Sequence, residues 1–184
     1  EWLNDCTAQF CDFVHIVEFT AEPFSFPEWF KYTFPEVIWS DRCVRDDTDI
    51  ERRVNNTLLK GLVNDIEVFR CRGLIDETPH YQQYLAQINA IRHKYLELLL
   101  GAGRFIHMDG FTCSSDDILA RGYANGNRLA IVATTLSEGG ASGKISVPGY
   151  RFVESSSIGN VTVNRTGTKL SLGQHGITVL IFEK

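Results

Sequence analysis

Residues 32–47, YTFPEVIWSDRCVRDD, begin as buried wall and end as charged chain. After Pro35, the residues Glu36, Val37, Ile38 and Trp39 are β-branched or aromatic for the most part and predict a strand. The chain then turns polar at Ser40, Asp41 and Arg42, and again at Arg45, Asp46 and Asp47. A hydrophobic strand that runs straight into mixed charge raises the question of what the charges are for.

The neighbouring segments supply the context. Residues 48–51, Thr-Asp-Ile-Glu, have the form of a capping box, in which hydroxyl and carboxylate exchange hydrogen bonds with the first helical amides. Ile50, Val54 and Leu58 continue a helix that Gly61 is placed to end. Residues 62–69, LVNDIEVF, predict a second strand, on which Asp65 and Glu67 share a face. A longer helix follows, with Thr78 as cap and Pro79 in the first turn. Tyr81, Tyr84, Leu85, Ile88, Ile91, Tyr95, Leu98 and Leu99 hold its period to a stop at Gly101. On the other side of the opening stretch, Trp2, Leu3, Cys6, Phe10, Phe13, Val14 and Val17 fall at helical spacing. Between them lies an aromatic, proline-punctuated run, PFSFPEWF at residues 23–30.

From about residue 116 the texture changes to short β-branched segments separated by Gly, Ser and Pro. A hairpin is predicted at Asn125-Gly126 ahead of residues 128–133, and further strands at 144–147, 160–163, 169–172 and 177–182. This spacing predicts an antiparallel β-sandwich. The division expected is residues 1–102 as strand–helix units and 103–184 as sandwich. Two strand–helix units are too few to cover a parallel sheet, so the first part implies further partner structure.

Bulk composition excludes several classes. Of 184 residues, 43% are hydrophobic and 22% charged, which is ordinary for a globular chain. The formal net charge of −5 argues against a nucleic-acid groove, and no apolar run is long enough to span a bilayer. The first residues lack an initiator Met and a signal-peptide core, and they read as the middle of a helix in a longer polypeptide. The five cysteines, Cys6, Cys11, Cys43, Cys71 and Cys113, include no C-x-x-C pair and suggest neither a zinc site nor a disulfide framework. The five histidines have no metal spacing, and no metal or organic cofactor is expected.

Residues 32–36 (YTFPE), 61–67 (GLVNDIE), 71–75 (CRGLI) and the helix around Arg92-His93-Lys94-Tyr95, followed by the strands of residues 118–182, resemble the closing part of a glycoside hydrolase. The likeness is to (β/α)8-barrel enzymes of the α-galactosidase and α-amylase kind, whose last barrel helix runs into a small C-terminal β-sandwich. The fold class that the resemblance implies is α/β plus all-β: the last strand–helix units of a barrel, then the sandwich. It implies a carbohydrate substrate, carboxylate acid/base chemistry on glycosidic bonds, and a catalytic pair on earlier strands, upstream of Glu1. The remainder of the parent polypeptide would be a partner, and the truncated barrel face an oligomer contact.

In such a barrel the site lies where strands meet their following loops, which answers the opening question. The resemblance makes Trp39, Asp41, Arg42, Asp65 and Glu67 the substrate-binding candidates. Each has a plainer alternative. Asp41 and Arg42 make a surface ion pair, and Asp65 and Glu67 make struts to Arg70, Arg72 or Arg42. Trp29, Tyr32 and Trp39 either stack on sugar rings or pack in a core. Residues 46–49 gather negative charge at a helix N-terminus. Asn55-Asn56-Thr57, Asn160-Val161-Thr162 and Asn164-Arg165-Thr166 match the N-glycosylation pattern, which is common by chance. The competing function is a non-catalytic carbohydrate-binding or protein-interaction module. Tyr123, Tyr150 and Phe152, the main large aromatics of the central sandwich, offer little for sugar stacking.

Overall fold

A computed structural model describes residues 13–16, 26–41, 47–64 and 74–184. The chain divides into two compact units, Glu1–Ile88 and Asn89–Lys184.

The first unit holds a three-stranded parallel sheet of β1 (Phe13–Ile16), β2 (Ile38–Asp41) and β3 (Val63–Asn64), with β2 in the middle. The helical pattern expected through Phe13 and Val14 gives way to strand there. The local sequence Phe-Val-His-Ile is β-favouring, and a parallel ladder to β2 satisfies its backbone. The expected helical residues before Phe13, and Val17, lie outside the described residues.

The aromatic run becomes helix α1 (Phe26–Thr33). Pro27 sits in its first turn, where a missing N–H costs nothing. Strand β2 starts two residues later than the sequence pattern suggests, because residues 35–36 form a turn that returns the chain from α1. Lys31 secures that turn: its Nζ donates to the carbonyls of Pro35 and Val37, each at 2.9 Å.

Helix α2 (Ile50–Leu59) begins differently from the expected capping box. Its N-cap is Asp49 in the left-handed region at φ 52°, with no side-chain cap bond; aspartate tolerates that region better than most residues. The Asp49 carboxylate pairs with Arg52 instead. Gly61 ends the helix as expected, at φ 72°, and the Leu62 amide reaches back to the Thr57 carbonyl at 2.9 Å.

A 3-10 turn at Ile75–Glu77 leads into α3 (Pro79–Lys94), which is separated at Tyr95 from a short α4 (Leu96–Leu99). Every apolar position assigned to this helix from the sequence is buried. The second strand of the sequence reading is described only as Val63–Asn64, and residues 65–73 lie outside the described residues.

The second unit contains two antiparallel sheets. One has the order β4-β6-β7-β12-β9, comprising β4 (Arg104–His107), β6 (Ile118–Asn125), β7 (Arg128–Thr135), β12 (Ile177–Glu183) and β9 (Arg151–Ile158). The other has the order β10-β11-β8-β5, comprising β10 (Val161–Val163), β11 (Lys169–Leu172), β8 (Ala141–Ser146) and β5 (Thr112–Cys113). Residues of both sheets share one core, with Ile131, Leu180 and Phe182 from the first and Ile145, Leu170 and Leu172 from the second. Each such side chain contributes roughly 1.5–3 kcal/mol by leaving water. Within this unit Tyr95 and Lys94 bond to β9, the Tyr95 hydroxyl to Ser156 Oγ at 2.8 Å and Lys94 Nζ to Glu154 at 2.6 Å.

The hairpin turn falls one residue later than expected: Asn125 pairs with Arg128, so Gly126 and Asn127 form the loop, with Gly126 at φ 58°. Gly167 is required for a different reason. At φ 65°, a Cβ there would meet the Phe152 ring at 2.1 Å, and that ring packs edge-on against Phe182.

Candidate functional site

Three parallel strands end together. Ile16 of β1, Asp41 of β2 and Asn64 of β3 stand side by side in register at the C-terminal end of the sheet, with His15, Ser40 and Val63 in the row before them. Alternation along β2 puts Trp39 and Asp41 on one face and Ile38 and Ser40 on the other.

The two faces have different environments. Trp39 is 1% exposed and clusters with Val37, Leu62, Phe30 and Phe34. Its ring lies 5.7 Å from that of Phe30 on α1. Core packing, the plainer alternative, describes Trp39, because a buried indole presents no open face for a sugar ring. Asp41 is 0% exposed at the strand end. Ile38, on the opposite face of this central strand, is 48% exposed.

Of the five candidates read from the sequence, Trp39 and Asp41 are thus brought onto one face of one strand. Arg42, Asp65 and Glu67 lie outside the described residues. Asn64, beside Asp41, was not singled out. The signal for it was its place at the end of Leu62-Val63, one strand over from Asp41. Its Nδ2 donates to Thr57 Oγ1 at 2.8 Å, and that hydroxyl donates to the Val54 carbonyl at 2.6 Å. The end of β3 is therefore fixed to α2 by a polar chain, and each buried group in it is satisfied by the next.

The acidic run after β2 also has a defined task. Asp47 accepts hydrogen bonds from the backbone amides of His80 at 3.1 Å and Tyr81 at 2.7 Å. Negative charge does meet a helix N-terminus, as expected, but it is that of α3 rather than α2. Thr78, expected to cap α3, donates its hydroxyl back to the Ile75 carbonyl. An ionised carboxylate is the stronger acceptor for the orphan amides, and it matches the helix dipole. Beside it, His80 Nε2 lies 2.8 Å from Glu51 of α2. Below these contacts, the Tyr84 hydroxyl donates to Asn55 Oδ1 at 2.7 Å. Burial pushes the Tyr84 phenol far above its ordinary range, and the bond to Asn55 opposes that. Burial likewise pushes the Lys31 ammonium down to about 8, with Glu36 opposing.

Among the described residues no group of three or more His, Cys, Asp or Glu side chains is placed to hold a metal ion. Among the same residues no helix is long and apolar enough to cross a membrane.

No family model matches the sequence, and no curated protein sequence matches it. Solved structures do. A glycoside hydrolase family 30 endoxylanase from Clostridium papyrosolvens C71 matches over 98% of this chain and 51% of its own, with TM-score 0.51 and 12% identity. A family 30 subfamily 8 xylanase from Clostridium acetobutylicum matches over 93% of this chain and 56% of its own, with TM-score 0.40 and 10% identity. An isomaltulose synthase mutant from Erwinia rhapontici NX5, in complex with D-glucose, matches over 61% and 19%, with TM-score 0.43 and 16% identity. The chain thus spans about half the length of the xylanases and about a fifth of the synthase. At such identities the likeness to the endoxylanase is one of fold.

Proposed function

We propose that this chain is the C-terminal part of a carbohydrate-active protein, supplying the last strand–helix units of a (β/α)8 barrel over residues 1–102 and a β-sandwich over 103–184. The parent acts on glycosidic bonds through a carboxylate pair carried on earlier strands. Arg42, Asp65 and Glu67 contribute one wall of the sugar site, and Asp41 and Trp39, both buried, support that wall from beneath.

The observation that carries the reading is the end row of the parallel sheet. A carboxylate fully removed from solvent stands at the C-terminal end of the central strand, flanked in register by Ile16 and Asn64. In a barrel this is where substrate is met. Ile38 is open at the start of β2 while Ser40, on the same face, is already buried, so further structure would have to cover only the entry to this strand. The open surface around Ile38 is the one through which an isolated chain would associate.

Binding and turnover separate the parts of this reading. Titration with a panel of neutral oligosaccharides, followed by NMR, is expected to perturb the ends of β2 and β3, and Asp41→Asn is expected to weaken that binding about tenfold or more. Saccharide binding that is absent, or untouched by Asp41→Asn, sinks the sugar-site reading. Aryl glycosides should not be turned over by this chain alone, and robust turnover would overturn its role as a partial site.

The alternative, a non-catalytic module, draws on Trp29 and Tyr32. They lie three residues apart on α1, and Trp29 is 79% exposed. Perturbation centred on α1, with the strand ends silent, favours it.

A further inference from the structure

The three N-glycosylation patterns in the sequence are not equivalent in the structure. Asn55 lies buried in α2, and its side-chain oxygen is held by the Tyr84 hydroxyl at 2.7 Å. Asn164 is spent on its own turn: Oδ1 accepts from the amides of Thr168 and Lys169, each at 2.9 Å. Its Nδ2 donates to Thr166 Oγ1 at 2.9 Å, the hydroxyl of the same pattern. A sugar on that nitrogen would replace one of the two hydrogens it gives to the Thr166 and Thr168 hydroxyls inside the turn.

Asn160 is placed differently. It follows Gly159, at φ 80°, in the short crossing from β9 of one sheet to β10 of the other. Its backbone is fixed, since the Gly173 amide donates to its carbonyl at 2.7 Å, while the residue itself is exposed. Thr162, the hydroxyl of its pattern, is exposed as well. Beside Asn160 runs a groove of about 320 Å³. Its floor is a row of hydroxyls, Thr162, Ser171 and Ser142, paired in register across β10, β11 and β8. Ser142 Oγ donates to Ser171 Oγ at 2.9 Å. No charged side chain lines the groove, which suits a neutral, polyhydroxylated group.

We propose that Asn160 is the acceptor for an N-linked glycan and that the first sugar rests in the adjoining groove. The donor is a saccharide carried on a lipid pyrophosphate, in a compartment that holds the transferase. Asn160 Nδ2 bonds to the anomeric carbon, the bond from that carbon to the pyrophosphate oxygen breaks, and the pyrophosphate leaves with the electron pair. One amide proton is released, and nothing is oxidised or reduced.

The test is secretion of the full chain, behind a cleavable leader, from a host that performs this transfer, followed by enzymatic removal of N-glycans. A one-glycan shift is expected, with Asn160 converted to Asp on release. Asn160→Gln and Thr162→Ala should each abolish the shift, and Asn164→Gln should leave it. Mass and mobility read this out whether or not a variant folds well. No shift in the parent chain, or a shift that survives Asn160→Gln, overturns the assignment. Hydrogen exchange before and after glycan removal tests the groove: amides of residues 140–142 and 171–173 should lose protection on removal. Unchanged exchange there overturns the resting place of the sugar while leaving the acceptor assignment standing.

Discussion

The parallel sheet of the first unit and the paired sheets of the second solve the same problem by different means. Strand β2 is four residues long and β3 is described over two, and the central strand begins with a half-open Ile38 before its three remaining residues are buried. Strands β7 and β12 run for eight and seven residues and pair with each other along β12's full length. Their runs, residues 129–133 and 177–182, are buried at every position, with no alternation. A sheet that covers both faces of its central strands closes its own core. A sheet of such short strands, open at the start of its middle one, leans more on polar fixings such as the Asn64–Thr57–Val54 chain and the Asp47 cap. The comparison predicts that the second unit tolerates loss of the first unit's fixings, and that its own weak point is the shared core.

The largest expected effect lies in that core. Phe182→Ala removes a buried ring and its edge-on contact with Phe152, and should cost about 3–5 kcal/mol. All three tryptophans, Trp2, Trp29 and Trp39, belong to the first unit, so fluorescence reports that unit while the far-ultraviolet β signal is dominated by the second. In urea, the β transition should move to lower concentration and the tryptophan transition should stay. Coincident movement of both would break the comparison, because the units would then be one cooperative body.

The next effect is one of pH in the first unit. Burial lowers the folded-state Lys31 to about 8 from an ordinary 10.5. Between those values the unfolded chain holds a proton that the folded one lacks. Stability of this unit should therefore rise as pH climbs from about 8 to about 10.5, and it should lose that gain as pH falls back through 8. Lys31→Met should flatten the tryptophan-monitored midpoint across this window. A slope that persists in the variant would assign it elsewhere.

Smaller again is the cap. Asp47→Ala leaves the amides of His80 and Tyr81 to water and should cost about 1–2 kcal/mol. Amide exchange at those two positions should accelerate, with the β7 and β12 amides unchanged. Asp47→Asn should recover part of the loss, since it keeps an acceptor oxygen without the charge.

What was legible in the sequence follows from the range of the forces involved. The buried positions from Tyr81 to Leu99 could be read to the residue because one helix period recorded their burial, although the break between α3 and α4 at Tyr95 left no mark on that period. Strands β11 and β12 were equally plain, being short β-branched runs between turn residues. Strand β9, Arg-Phe-Val-Glu-Ser-Ser-Ser-Ile, escaped notice because three consecutive serines carry no alternation; its partner β12 holds it in place. Strand β1 was hidden under an apparent helix period and appears only once β2 is beside it. The candidate site divides the same way. The position of Asp41 at a strand end was local and readable, whereas the reach of Asp47 to an amide 33 residues away was not. A local pattern shows that negative charge seeks a helix N-terminus but cannot say which one.

The smallest expected effect sharpens the comparison most. Ile38 is on the central strand of a parallel sheet, where an apolar side chain is ordinarily worth a few kcal/mol, yet about half its surface is open. Ile38→Thr keeps the β-branch that suits a strand and removes apolar surface about half of which water already reaches. In this chain it should shift stability by no more than about 0.5 kcal/mol, and it should reduce any self-association through that face. In a longer polypeptide whose further strands cover the same face, the substitution should cost several times more, because the side chain would then be core. Equal, small effects in both settings would mean that Ile38 stays open, and the barrel would lose the support it draws from that residue.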